Sequence, residues 1–235
     1  MSTSGGWTVL LPVKPFPFAK SRLAAWAGDS RTDWARAFFL DTLRSVSRTP
    51  EVSRIVVVTA DPSARDLARE RGAECVEELS PRGLNSAVRA GAARASVRGA
   101  RAVAVLTADL PALRPEELTR VLDAAAGHRR AFLTDHTGIG TTVLTARVPT
   151  LLTPRFEGAS RQRHAASGAV ELDMAEVPGA RLDIDTPDDL VAARALGLGS
   201  YSRAVDDRRR GAFSFQGTYR LLCKHPSPAS QETRR

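Results

Sequence analysis

The chain of 235 residues is long enough for one sizeable α/β domain, and its 43% hydrophobic and 26% charged residues indicate a globular protein. No apolar run approaches the about 20 residues of a membrane span, and the start lacks a secretory-signal pattern, which argues against a membrane partner. Two cysteines without a Cys-x-x-Cys spacing exclude a disulfide scaffold and indicate a cytoplasmic protein, and the net charge of +8 falls mostly in residues 201–235, so a nucleic-acid partner is not expected.

Strands and helices are predicted to alternate up to residue 126. In chain order they are a strand at 8–13, a helix at 33–46, a strand at 55–59, a helix at 62–71, a strand at 74–76, a helix at 84–97, a strand at 102–107 and a helix at 115–126. Continuous apolar strands that alternate with helices imply a mostly parallel sheet covered on both faces. The expected fold class is therefore α/β, with three layers.

The loop after the first strand is basic and contains prolines. It carries Lys14, Lys20 and Arg22, and its prolines keep it out of a helix. Three cations on a stiff loop are suited to the phosphates of a nucleotide. A dinucleotide-binding Gly-x-Gly-x-x-Gly and a P-loop sequence are both missing, which disfavours these two alternatives.

Two polar residues follow as candidates for the same site. Asp109 comes after the strand at 102–107, and ligands of parallel sheets bind at such strand ends. Its carboxylate could hold Mg²⁺, or it could cap its own turn. Asn85 lies at a helix start, where its amide could read a base edge or act as an ordinary N-cap.

The pattern changes after residue 126. Strands are predicted at 131–134 and 142–145, joined by a Gly-rich loop that could cradle an anion or simply form a hairpin. A short helix at 158–167 could bind phosphate at its start or be a solvated basic helix. A last strand is expected at 181–184, followed by a helix with Thr186 as N-cap that ends near Gly197.

An acidic cluster spans the end of that last predicted strand. Alternation places Asp183 and Asp185 on one face, where two carboxylates repel each other unless a cation lies between them. Asp185 could equally assist the helix N-cap, and Asp188 and Asp189 are better explained as partners of the helix dipole. From residue 200 the periodicity is lost, which predicts a domain at 1–199 and a basic, flexible tail at 200–235.

Taken in order, these segments resemble the CofC/FbiD family, the guanylyltransferases of coenzyme F420 biosynthesis. The matching segments are Pro12-Val13-Lys14, the stretch from Ala19 to Leu23, the stretch from Thr107 to Pro111, Gly140-Thr141-Thr142, and the stretch from Asp185 to Leu190. The resemblance covers about residues 7–198 and implies a single-domain nucleotidyltransferase with a GT-A-like, Rossmann-like sheet. The related molybdenum-cofactor enzymes usually open with a Gly-rich loop, which this chain lacks.

The resemblance also implies a reaction and the residues that perform it. GMP passes from GTP to phosphoenolpyruvate or 2-phospho-L-lactate, diphosphate leaves, and the product could be handed to the next enzyme of the F420 pathway. The implied roles are catalysis by Lys20 and Asp109, nucleotide binding by Lys14, Arg22 and Asn85, acceptor binding by Thr142, Glu157 and Ser160, and Mg²⁺ binding by Asp109, Asp185 and Asp183. The family tends to have glycine where this chain has Glu157. The change is tolerable if a backbone N–H makes the contact, whereas a close approach of the acceptor would bring it against the repelling carboxylate.

Two other hypotheses remain open from the sequence. The chain could be a catalytically silent GTP-binding module whose tail recruits a partner. It could also bind an anionic polymer through Arg208, Arg209 and Arg210. Acceptor-dependent release of diphosphate separates the first of these from an enzyme.

Overall fold

Helices and strands alternate along the computed structural model, which describes residues 6–77 and 83–222, with side chains up to residue 211. In chain order the elements are β1 (Trp7–Pro12), α1 (Ala24–Ala27), α2 (Arg31–Ser47), β2 (Val52–Thr59), α3 (Pro62–Arg69), β3 (Glu74–Glu77), α4 (Leu84–Val97), β4 (Val103–Leu106), α5 (Pro115–Ala126), β5 (Arg130–Thr134), β6 (Thr141–Ala146), α6 (Ser160–Ala166), β7 (Val170–Glu171), α7 (Pro178–Arg181), α8 (Pro187–Leu196) and α9 (Ser200–Leu222). Within the described residues, none of these helices is long and apolar enough to cross a membrane.

The seven strands form one sheet in the order β3-β2-β1-β4-β6-β5-β7. The pairs β1–β2, β1–β4, β2–β3 and β5–β7 are parallel, whereas β6 runs antiparallel to both β4 and β5. The prediction of an α/β fold with a mostly parallel sheet is confirmed. The predicted elements up to residue 147 match the observed ones within three residues at each end.

Both faces of the sheet are covered, because alternate side chains of each central strand enter different cores. In β1, Val9 and Leu11 pack under α2, α3 and α5, whereas Leu10 packs on the other face under α4. The strand residues Val56 and Val57 divide in the same way. Strands buried on both faces are continuously apolar, which is why their sequence pattern shows no polar alternation.

Two predictions for the later part of the chain differ from the structure. The strand expected at 181–184 does not form, since residue 181 ends α7 and residues 182–185 pair with no strand among the described residues. There Ile184 N donates to Asp109 O at 3.2 Å, a single contact instead of a ladder. The small strand β7 was not predicted, since two exposed residues are too few for a pattern.

The beginning of the predicted tail is an ordered part of the domain. Helix α9 starts at Ser200 and packs along α2, where the carboxylate of Asp41 accepts hydrogen bonds from Tyr201 N at 3.0 Å and Ser202 N at 2.8 Å. Asp41 is buried, although most of its buried neighbours on α2 are apolar. It caps the start of another helix, a role that local periodicity does not reveal. Helix α9 therefore extends past the predicted boundary at residue 199, whereas residues 223–235 lie outside the described residues.

Candidate functional site

A cleft of about 330 Å³ lies where β1 and β4 end. Its lining includes Lys14, Lys20 and Arg22 from the loop after β1, and Thr107, Asp109 and Asp185 from the opposite wall. The parallel pairing of β1 with β4 explains the convergence, because the carboxyl ends of parallel strands meet at one edge of the sheet. The structure thus brings together the cations and two of the three acids that the sequence singled out.

Lys20 connects the two walls of this cleft. Its Nζ donates to Asp185 Oδ1 at 3.1 Å and makes a closer ion pair with Asp109 Oδ2, while Arg22 Nη1 lies 3.4 Å from Asp185 Oδ2. The side chain of Lys20 is 10% exposed and that of Arg22 is 74% exposed. Burial works to lower the pKa of Lys20, but the charges of Asp109 and Asp185 outweigh it and raise this pKa above its usual value. Lys20 is therefore a charged, buried ammonium between two carboxylates.

Asp183 lies near the carboxylates of Asp109 and Asp185, whose negative charges disfavour its own ionisation. Burial, together with the charges of Asp109 and Asp185, raises the pKa of Asp183 to about 8. Asp183 and Asp185 alternate with the buried Leu182 and Ile184, so they share a side as predicted, although the segment is not a strand. Carboxylates crowded in this way favour the approach of a further cation.

Three buried oxygens at this edge have no hydrogen-bond partner among the described residues. They are Asp109 Oδ1, Thr107 Oγ1 and Thr142 Oγ1, and Thr107 N donates to Thr142 O at 3.0 Å, which joins the two threonines across β4 and β6. Buried polar atoms without partners are rare, and they cluster where a ligand supplies the missing bond. A carboxylate oxygen and two hydroxyls suit a hard divalent cation or a phosphate. No group of three or more His, Cys, Asp or Glu side chains within residues 6–77 and 83–211 is already arranged to hold a metal ion.

The start of α6 lies against the loop that leads into β6. Arg161 N donates to Ile139 O at 3.1 Å, and Ser160, which is buried, begins the helix. Glu157 and Gly158, just before it, have φ angles of 85° and 53°. A φ near 85° favours glycine, so the glutamate occupies a backbone position at which glycine is the ordinary residue. Its carboxylate reaches towards Gly83, at the start of α4, where the helix dipole favours an anion.

Asn85 was predicted to bind the nucleotide or to act as an N-cap, and the structure places it inside a helix with its amide bonded to the backbone. It lies inside α4, whose N-cap is Gly83, so it is not the cap. Its Nδ2 donates to Phe156 O at 2.9 Å, and its Oδ1 accepts from Phe156 N at 2.8 Å. The amide therefore ties the segment before α6 to α4, and both of its polar atoms have backbone partners.

The Gly-rich loop between β5 and β6 is a hairpin loop closed by an aspartate. Asp135 is buried and accepts from Ile139 N at 3.0 Å, from Gly140 N at 2.9 Å and from the Thr137 hydroxyl. These N–H groups are used within the loop, so its backbone forms the hairpin alternative and these N–H groups are not available to an anion. At α8 the expected cap is confirmed, since Thr186 accepts from Asp189 N and Asp189 accepts from Thr186 N.

His164 anchors the segment that carries Phe156. Its Nε2 accepts from Arg155 N at 3.0 Å, so the proton of the neutral ring lies on Nδ1, which is 3.0 Å from Thr141 Oγ1. Burial, with the charges of Arg130 and Arg155, lowers the pKa of His164 to about 4. A protonated ring could not accept from Arg155 N, so this contact requires the neutral form.

Acid should therefore weaken the fold through His164. An unfolded chain takes up this proton near pH 6.5 and the folded chain near pH 4, so the contribution is complete above pH 6.5 and is lost as the pH falls to about 4. The full loss is about 3 kcal/mol of unfolding free energy. His164→Gln keeps an acceptor for Arg155 N but has no titration. Urea unfolding at several pH values should show a smaller decrease in this variant, and equal decreases would contradict the assignment.

The family model that matches this chain and two similar curated relatives all carry the name of a guanylyl transferase. A family model described as "Guanylyl transferase CofC like" matches residues 7–212. The phosphoenolpyruvate guanylyltransferase of Streptosporangium roseum is 46% identical over 213 residues, which cover 90% of this chain and 96% of that protein. The enzyme of the same name from Streptomyces scabiei is 49% identical over 208 residues, covering 86% and 96%.

Solved structures with a similar fold are nucleotidyltransferases and related proteins. A putative nucleotide-diphospho-sugar transferase from Desulfovibrio desulfuricans superposes with a TM-score of 0.66 at 17% identity, covering 87% of this chain and 95% of that one. Rv0371c from Mycobacterium tuberculosis, solved as a complex with manganese, gives a TM-score of 0.52 at 20% identity, covering 80% and 98%. At these identities the likeness concerns the fold alone.

Proposed function

Because the chain belongs to the CofC-like guanylyl transferase family, we propose that it transfers GMP from GTP to phosphoenolpyruvate in coenzyme F420 biosynthesis. The observation that carries the proposal is the cleft in which Lys14, Lys20 and Arg22 face Asp109 and Asp185. Relatives named phosphoenolpyruvate guanylyltransferase favour this acceptor over 2-phospho-L-lactate. The product would be a diphosphate that joins guanosine to the enolpyruvyl group, and we propose that it is handed to the next enzyme.

The transfer needs positioning and charge neutralisation more than a proton acceptor. A phosphate oxygen of the acceptor attacks the α-phosphorus of GTP in line, one P–O bond forms, and the bond to the β-phosphate breaks as diphosphate leaves. That oxygen is already ionised at neutral pH, so no general base is required. Lys14, Lys20 and Arg22 would balance the charge of the triphosphate and of the leaving diphosphate.

The residues around Asp109 fit a divalent cation, which we propose to be Mg²⁺. Asp109 and Asp185 would hold it, with Asp183 nearby, and the unpartnered Asp109 Oδ1 supports this assignment. When bound, Mg²⁺ would neutralise charge on the α-phosphate. Thr142, Ser160 and the backbone at Glu157 are proposed to hold the acceptor, because the buried Thr142 hydroxyl lies at the same edge of the sheet.

A second, larger cavity of about 920 Å³ adjoins the cleft and is proposed to hold the guanosine. The two cavities share Val13, Lys14 and Leu84, and the second is lined mainly by apolar residues. Phe18, 68% exposed, lies in its wall and offers a flat ring for a base to stack on. Since the amide of Asn85 is bonded to Phe156, we propose that it shapes this region by holding that segment.

The proposed activity is tested by measuring diphosphate release from GTP and Mg²⁺ with each acceptor. We expect release with phosphoenolpyruvate and little without an acceptor. Release with 2-phospho-L-lactate alone would reassign the acceptor. GTP binding in a calorimeter without release from either acceptor, with the downstream F420 enzyme present to remove product, would favour the silent binding module.

The Thr142→Val variant should separate acceptor binding from folding. Its hydroxyl is buried and has no partner among the described side chains, so its loss should cost little stability. A lost hydrogen bond to a phosphate should raise the acceptor KM by about 10- to 100-fold and leave the GTP KM unchanged. Thr145→Val is the matched control, because Thr145 Oγ1 donates to Ala131 O at 3.1 Å, which is a structural bond. An unchanged acceptor KM in Thr142→Val would remove Thr142 from the site.

A further inference from the structure

Lys20 is held in place at several points. Its backbone has φ 55°, a left-handed conformation that is costly for a residue other than glycine. From α2, the guanidinium of Arg31 donates to Pro17 O at 2.7 Å and to Ala19 O, so the loop is tied just before Lys20. Such strain persists only where the surrounding structure holds it, so the loop limits the place that the Lys20 ammonium can reach. That place is between Asp109 and Asp185.

The ammonium of Lys20 uses the oxygens that the proposed metal would need. It pairs with Asp109 Oδ2 and Asp185 Oδ1, while Arg22 lies near Asp185 Oδ2. Of the four oxygens, Asp109 Oδ1 alone lacks a partner among the described residues. A divalent cation and an ammonium repel each other strongly at such distances, so both cannot occupy this position.

We propose that Lys20 holds the place of the divalent cation in the metal-free protein, and that binding of the cation displaces its ammonium. This inference rests on the proposed metal role of Asp109 and Asp185. The ammonium keeps the two carboxylates close to each other. Without a cation between them, the two carboxylates would repel each other and separate. Once displaced, it is free to pair with another anion, and the triphosphate of the nucleotide is the anion that the cleft receives. Metal alone then binds weakly, and metal and nucleotide bind best together.

The test is metal affinity without nucleotide, so it does not depend on activity. Mn²⁺ is titrated into the full chain, and the free ion is followed by its electron paramagnetic resonance signal. Lys20→Met keeps the apolar stem and removes the competing charge, so its Mn²⁺ affinity should rise by about tenfold or more above that of the unmodified chain. Lys14→Met removes a charge from the same loop, but Lys14 is exposed, so its effect on affinity should be about twofold or less.

Thermal unfolding gives an independent measurement. Without metal, Lys20→Met should unfold at a lower temperature than the unmodified chain, since its carboxylates have lost their shared partner. Added Mn²⁺ should raise its Tm by more than it raises that of the unmodified chain. Equal or weaker Mn²⁺ binding by Lys20→Met, with binding by the unmodified chain intact, would overturn the inference and leave the metal site standing. Failure of both chains to bind Mn²⁺, even with GTP, would refute the proposed metal site itself.

Discussion

The Asp109→Asn variant is expected to lose about a thousandfold or more in kcat/KM while keeping its fold. Asparagine preserves the size of the side chain, and the backbone contact from Ile184 N to Asp109 O is unaffected. What is lost is the charge that pairs with Lys20 and that would hold the metal. Removal of one preorganised electrostatic group from an active site costs about 10²- to 10³-fold, and here a metal ligand goes with it.

Asp188→Asn is the matched control for this variant. Asp188 is an exposed acid in the first turn of α8, three residues after Asp185, and its charge serves the helix dipole. Diphosphate release should be close to that of the unmodified enzyme, with a stability change of a few tenths of a kcal/mol. Circular dichroism and urea unfolding establish that both variants are folded. Full turnover by Asp109→Asn would exclude Asp109 from the reaction.

Shortening the chain should destabilise the fold at one position and leave it intact at a second position twelve residues later. A chain that ends at Gly199 loses Tyr201 and Ser202, whose N–H groups bond the buried carboxylate of Asp41, and it loses the buried Val205. A lost hydrogen bond to a charged group costs about 1.5–3 kcal/mol, and lost burial of valine adds about 1.5 kcal/mol or more. Because whole domains are stable by only about 5–15 kcal/mol, this chain should unfold at far lower urea concentrations or fail to fold.

A chain that ends at Gly211 should remain folded and active. It keeps the part of α9 whose side-chain contacts the structure describes, including the ion pair of Asp206 with Arg194 and the stacking of Arg209 on Trp26, 3.7 Å from the ring centroid. Urea midpoints and diphosphate release are measured for both chains. Comparable stability of the two would show that residues 200–211 are dispensable, as expected of the flexible tail that the sequence pattern predicted.

Local signals explain which elements could be predicted. The helices at 84–97 and 115–126 were predicted with their observed bounds, because a glycine or proline marks a boundary and apolar residues recur along them. The strand predicted at 181–184 is wrong for a different reason: Leu182 and Ile184 alternate with aspartates as in a strand, but no strand lies beside them to complete a ladder. Helix α9 was missed because its cap is Asp41, about 160 residues earlier in the chain.

In the site, too, residues with local sequence signals could be predicted, whereas contacts between distant parts of the chain could not. Its charged residues could be predicted as a set, since parallel strands deliver their ends to one edge of the sheet. The bridge from Lys20 to Asp109 and Asp185 could not, because it depends on a left-handed backbone and on ties from Arg31. The unpartnered hydroxyl of Thr107 gave no sequence signal either, since a threonine near a strand end is common.

The reversed direction of β6 has a consequence for how acceptor choice can change. At the shared edge β1 and β4 leave the sheet, whereas β6 enters it, so Thr142 lies at the start of its strand. The groups proposed for GTP come from segments that precede residue 110 or follow residue 182. The groups proposed for the acceptor come from the one continuous stretch between these segments. We therefore expect the acceptor side to be exchangeable as one segment. Exchange of residues 135–167 between relatives should transfer acceptor preference while GTP handling stays with the host.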